Sequence, residues 1–482
     1  MRVPLTGFAP DLDPATEGAV VDCDSIVPTM TGLFSANSLV DVGQDGLAAG
    51  TPTSSYTVTL LDGTRRLFAA TSTAIYEASG TAWVDRSRGG GYTGTEPQAF
   101  CVFGNIVLNA NRSQAIGQSS PGGAFADIAT APKASILVTA SGFVMALNTT
   151  DATYGDRPDG WWCSGLRDQT IWTPALSTQS ANGRLLDSPG AIRAGAALGD
   201  DVVAYKPTSI YVGRYVGPPL IWQWIRVPGD IGCLSKRGVA SIETAHYFVG
   251  LNDFYVFDGT FPRPLDAPIR EWFFAHMNAQ YAQNIIAAID LPRSHIYWYY
   301  PSVNSTSGAL DSQLIYNFRT NTWGKRAISA ETPVLYVSGA TTYDNISSKY
   351  ATYDDMPNIA YDSPFWLTDQ TIPALFQSSV LYSITGTPGE SFIETGDFGD
   401  VTAWGYLSRV TPRFLAVPGV AGAINFYRET LGDTKTQDSI TTLSRNRYDF
   451  RRSSHWHSVR MSFVGKMGMD GLDVDIKRTT PE

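Results

Sequence analysis

The sequence predicts an all-β fold: a β-propeller-like ring of short antiparallel sheets with an additional C-terminal β-sandwich-like domain. Three observations lead there. The 45 glycines and 28 prolines are scattered rather than clustered, which breaks the 482-residue chain too often for long helices and favours short strands joined by turns. Core material is plentiful, with 43% hydrophobic and 12% aromatic residues against only 17% charged. At this length more than one core, or one large closed architecture, is expected. The third observation is a recurring phrase: an apolar strand ends at Gly or Asn-Asp, a second strand carries Ile-Tyr or Tyr-Val, and a turn leads to Trp or Phe.

The phrase recurs about six times at a period of roughly 35 to 45 residues, the spacing of a radially repeated sheet. It runs through Leu67, Phe68, Ile75, Tyr76 and Trp83. It returns at Asp201 to Tyr205, Ile210 to Val212 and Trp222 to Ile225, and again at Tyr247 to Gly250 and Phe254 to Gly259. A fourth copy joins Ser294 to Trp298, Gln313 to Phe318 and Trp323, and weaker copies lie near Phe100 to Phe125 and Ile136 to Trp172. The single helix expected opens at Asp266 as N-cap, has Pro268 in its first turn, and places Ile269, Trp272, Phe273 and His276 on one face. Longer alternating segments beyond residue 380 mark the second domain. The expected division is 1–50 as an N-terminal arm or platform, 51–380 as the propeller with a helical insertion near 266–280, and 381–482 as the C-terminal β-rich domain.

A net charge of −10 and a pI near 5.0 disfavour a protein that grips nucleic acid through its phosphates. Cys23, Cys101, Cys163 and Cys233 are far apart and form no CxxC pair, so they read as buried thiols in a reducing compartment. No signal peptide and no membrane span is expected. The most lipid-like stretch, Phe414 to Phe426, is short and interrupted by Pro418, Gly419 and Gly422.

No residue is assigned a catalytic, cofactor-binding or metal-binding role, and the protein is not expected to be an enzyme. His455 and His457 would share one strand face, the minimum for part of a metal site. Only five histidines exist, however, and Arg451, Arg452 and Arg460 lie close by, so an exposed polar face is expected instead. Asp473 and Asp475 read as solvent-facing or interface acids. Gly89 to Gly91 and Gly122 to Gly123 lack the continuation of a phosphate loop. Trp161, Trp162, Trp172, Trp222 and Trp224 could form a sugar-stacking surface, although such residues are more often core. The sequons at Asn111, Asn148, Asn304 and Asn345 carry no meaning without secretion.

Several stretches resemble the tail hub, or nozzle, proteins of short-tailed bacteriophages: Met1 to Gly7, Asp24 to Gly32, Trp162 to Asp168 continuing to Trp172 and Pro174, Phe254 to Gly259, and Gly471 to Ile476. The resemblance is one of style over most of the chain. It implies a structural virion protein of the tail, assembled in the host cytoplasm into a hexameric ring below the portal and adaptor, with tail fibres as further partners. DNA would pass through its lumen without specific binding. Six copies would carry on the order of −60 charges, and an acidic lumen lets DNA slide. Residues 1–50 and Thr341 to Asp362 are the expected subunit contacts. The competing readings are a receptor- or carbohydrate-binding tail protein and a propeller hydrolase, whose mark would be two carboxylates about 5–10 Å apart in a cleft.

Overall fold

The computed structural model describes residues 1–337, residue 352 and residues 371–479. Seven four-stranded antiparallel sheets form a closed propeller. Blades 1 to 6 are continuous stretches of chain, at 54–85, 99–127, 133–184, 194–226, 239–264 and 286–330. Blade 7 combines Thr332–Val337, Thr371–Gln377 and Val380–Gly386 with Ser38–Asp41 from far upstream, which pairs Asp41 with Tyr382 and Val40 with Ser383. The first strand of each blade lies beside the first strand of the next, and that of blade 7 returns to that of blade 1. Ring closure by an N-terminal strand leaves no gap between first and last blades.

Blade 6 shows why the strand sequences run apolar without clean alternation. In His295–Tyr300, Ile296, Trp298 and Tyr300 face one side with Leu314, Tyr316 and Trp323, while Tyr297 and Tyr299 face the other with Ile315. Each face is covered by a neighbouring element, so both rows must be apolar. Turns are set by backbone needs: Ser141 and Gly142, with φ of 50° and 77°, form the two-residue loop between Lys133–Ala140 and Phe143–Asp151, where positive φ at both positions matches the strand twist.

Two further sheets pack face to face. One has the order Ile26–Pro28, Leu33–Ser35, Gly468–Thr479, Trp404–Ala416, Tyr448–Ser454, with Arg2–Pro4 also on Gly468–Thr479. The other has the order Val20–Asp24, Glu390–Thr395, Trp456–Val464, Val420–Arg428, Thr436–Gln437, with Phe398–Gly399 and Thr441–Thr442 alongside. Leu407, Val410, Leu472 and Val474 from the first meet Ile393, Ala423, Val459, Met461 and Phe463 from the second. Residues 1–35, expected as part of an arm, are therefore woven into both sheets. Their strands are only three to five residues long, too short to show a period.

The sandwich and the propeller share one core. Val3, Phe8, Val20, Ile26 and Leu33 lie in the same buried cluster as Phe254, Trp298, Tyr316 and Trp323 of blades 5 and 6. Hydrogen bonds also join them: Phe8 N donates to Trp323 O at 2.9 Å, and Ala327 N donates to the Asp24 side chain at Oδ1, 2.8 Å away. Gly324 is required here, because a Cβ would lie 2.2 Å from Ile26 O.

The helix spans Arg270–His276, and its N-cap position is Ile269, which makes no side-chain cap bond. The expected cap Asp266 sits three residues too early. Asp11 caps it instead, from 260 residues away, accepting from Glu271 N at 2.6 Å and Trp272 N at 2.9 Å. Ile269 and Phe273 are buried as expected, with Phe273 against Phe254 and Tyr300. His276 is exposed and stacks on Trp272.

Candidate functional site

The segments that precede the innermost strands converge at one mouth of the propeller axis. They enclose a cavity of about 470 Å³ lined by Glu96, Ser135, Asn148, Arg193, Lys236 and Arg237, among others. Lys236, from the approach to blade 5, reaches Glu96 Oε2 of blade 2 at 3.3 Å and donates to Pro97 O at 3.2 Å. Glu96 Oε2 also accepts from Ser135 Oγ at 2.6 Å. Arg237 Nη1 donates to Thr53 O, beside blade 1, and Arg193 Nη1 donates to Leu234 O at 3.1 Å. The Lys236 and Arg237 bonds tie non-adjacent blades across the axis, and the other two join neighbours.

Three cations thus meet one carboxylate. Burial pushes the Lys236 ammonium down to about 8 although Glu96 opposes the shift, and burial pushes Arg237 down to about 10. The three cations set the mouth up to attract anions. It is also opposite in sign to the acidic surface expected for a ring lumen, but it lies on the propeller's own axis. Of these residues only Asn148 stands out in the sequence, as a sequon. The available signal was positional: Lys236 and Arg237 form a basic pair in a charge-poor chain, immediately before a blade's first strand.

The residues that the sequence did single out are dispersed. Trp161, Trp162, Trp172 and Trp222 are buried, and Trp161 packs against half-buried Trp224 with centroids 5.7 Å apart, so these rings do not present an open stacking platform. His457, expected on an exposed face, is fully buried, with Nε2 3.0 Å from Gly405 O and Nδ1 3.3 Å from Asn425 Oδ1. Its strand is central in its sheet, and it continues the core row of Val459, Met461 and Phe463. His455 lies before the strand, against Trp404. Asp475 pairs with Arg409 at 3.1 Å, and Asp473 is exposed. Among the described residues no group of three or more His, Cys, Asp or Glu side chains is arranged to hold a metal.

All four cysteines are free and buried, and burial pushes each thiol up to about 12, which leaves them unreactive. No helix among the described residues is long and apolar enough to cross a membrane. The stretch Phe414 to Phe426 instead turns at Pro418 and Gly419 between the two sandwich sheets. There Leu415, Val417, Val420 and Val464 are exposed together, with Val420 paired to Val464. The expected contact segment Thr341 to Asp362 lies, apart from Thr352, outside the described residues.

No known protein family matches the chain, and no curated protein does. Solved structures match weakly. The computationally designed Ika8 protein is 10% identical, covering 80% of this chain and 98% of that one at a TM-score of 0.41. BamB from Moraxella catarrhalis is 9% identical over 76% and 97%, at 0.37. YCF48 bound to D1 peptide is 10% identical over 74% and 97%, also at 0.37. Similarity at this level passes on no ligand, partner or activity. The propeller assignment rests on the chain's own seven sheets.

Proposed function

We propose that this chain is a structural subunit of a phage tail hub, a building block of a ring-shaped conduit below the portal and adaptor. The observation that carries the reading is the exposed apolar tip of the sandwich, Leu415, Val417, Val420 and Val464, on a body whose propeller and sandwich are fused through one core. An apolar group at the rim of a rigid, charge-poor body suits a permanent contact with another subunit. A rigid body also suits a load-bearing assembly, in which blades and sandwich must move as one. The sequence resemblance supplies the class of assembly. The carbohydrate-binding alternative loses its platform, because four of the five tryptophans it needs are buried.

Light scattering and negative-stain imaging of the purified chain, alone and with portal-containing assemblies, test this. A six-fold ring, or a monomer that joins only the assembly, is expected, and Val420→Asp with Val464→Asp should reduce either association at least tenfold. A stable monomer or trimer that ignores the assembly would overturn the reading.

A further inference from the structure

A second cavity, of about 220 Å³, lies where blades 6 and 7 meet the hairpin formed by Ile26–Pro28 and Leu33–Ser35. At this size it admits a small ion with a few waters, but not the larger ligands that occupy sites of roughly 300–1,000 Å³. Its wall sets a cluster of polar groups among apolar side chains such as Val27, Phe34 and Ile315. Gln313 and Arg326 sit directly opposite each other on neighbouring strands of blade 6, and His295 and Tyr297 lie on the adjoining strand. Arg293 and the exposed Lys466 complete the lining on its cationic side.

One of these groups lacks a protein partner. Arg326 is at 8% exposure, and its guanidinium, which has no hydrogen bond or ion pair among the described residues, opens on the cavity. Gln313, at 1% exposure, has its Nε2 sealed from the cavity. A guanidinium in so enclosed a setting takes its acceptors from what the cavity holds, and an anion there supplies charge as well as hydrogen bonds. The nearby carboxylates are engaged. Asp290 accepts from Arg293 Nη1 at 2.7 Å. Asp24, whose charge Arg326 feels, accepts from Ser25 Oγ at 3.0 Å and Ala327 N at 2.8 Å. His295 offers no negative charge: Nε2 lies 2.7 Å from Pro28 O, and burial lowers its affinity for a proton.

We infer that this junction is a binding site for a free tetrahedral oxyanion of the phosphate class, held by Arg326, with Arg293 and Lys466 at its rim. Guanidinium groups bind such oxyanions through paired, charge-assisted hydrogen bonds. Because its walls come from blade 6, blade 7 and the sandwich, the bound ion acts as a cross-link between the two parts of the molecule. The inference does not depend on the proposed assembly.

Inorganic phosphate is titrated into the full chain while unfolding is followed, with chloride at matched ionic strength as control. The melting temperature should rise with the logarithm of phosphate concentration, as expected for a ligand that binds only the folded state. Arg326→Met should abolish that rise while leaving the phosphate-free protein at least as stable. Gln313→Glu, which places a carboxylate opposite Arg326, should raise the phosphate-free melting temperature and also abolish the response. A short single-stranded oligonucleotide, with the same phosphate chemistry on a body too large for the cavity, should have no effect through Arg326. The inference is overturned by a phosphate response equal to that of chloride, by one that survives Arg326→Met, or by an Arg326-dependent response to the oligonucleotide alone.

Discussion

In the propeller, strands that pair are neighbours in the chain: each of blades 1 to 6 closes within one short stretch. In the sandwich, pairing strands come from opposite ends, so that Arg2–Pro4 lies on Gly468–Thr479 and Val20–Asp24 on Glu390–Thr395. The first arrangement stacks repeated local units, and the second is a clasp around them. Ser38–Asp41 belongs to both schemes, since it follows the last N-terminal sandwich strand and completes blade 7. The difference shows that the two parts are not separable modules. The clasp fixes where the ring begins and ends, and the ring's fifth and sixth blades contribute side chains to the clasp's core.

If that dependence is real, removing residues 1–41 takes a layer from both sheets and opens the ring, and should abolish the cooperative thermal transition seen by circular dichroism. A truncated chain that keeps a sharp melt would show that the propeller closes alone. Next in size, Trp323→Ala in the shared core should cost about 3–5 kcal/mol, and denaturant unfolding should still proceed in one transition because both parts loosen together. Two separated transitions would instead mean two independent cores.

Acid should weaken the propeller through a buried histidine. His246 is fully buried between blades 4 and 5, with Nδ1 2.8 Å from Tyr205 Oη and Nε2 2.8 Å from Ala197 O, and burial lowers its pKa from 6.5 to about 4. With the folded value below the unfolded one, the unfolded chain takes up the proton first. Stability from this group is complete above pH 6.5 and is lost as pH falls toward 4, by roughly 3 kcal/mol at most. His246→Gln should flatten that part of the stability profile relative to the parent. The smallest effect belongs to Asp11→Ala, which removes the long-range helix cap and should cost about 1 kcal/mol in denaturant unfolding.

What the sequence revealed follows the same division. Blades with strong aromatic phrases, such as Tyr247 to Gly259 and Ser294 to Trp323, were legible because each is local and apolar on both faces. The seventh was not, because its fourth strand, Ser38–Asp41, is about 340 residues from the strand it pairs with and only four residues long. The helix was legible in its buried face, Ile269 and Phe273, but not in its cap, because Asp11 reaches it through the fold. His457 was misread because alternation tells which residues share a face, not which faces are covered. The axial cations and the Arg326 pocket were invisible for a related reason: each is assembled from positions that mean nothing until the ring closes.

The clasp also sets a timetable. The amino group of Met1 bonds to Val474 O, 473 positions later, so strands made early wait for strands made late. At about 5–20 residues per second, Arg2–Pro4 and Val20–Asp24 stay unpaired for on the order of 20 to 100 seconds while the blades form beside them. For that interval the nascent chain displays apolar edges such as Val3 and Val20 to the crowded space around it. Yield should therefore depend on how well those edges are shielded before the final strand arrives.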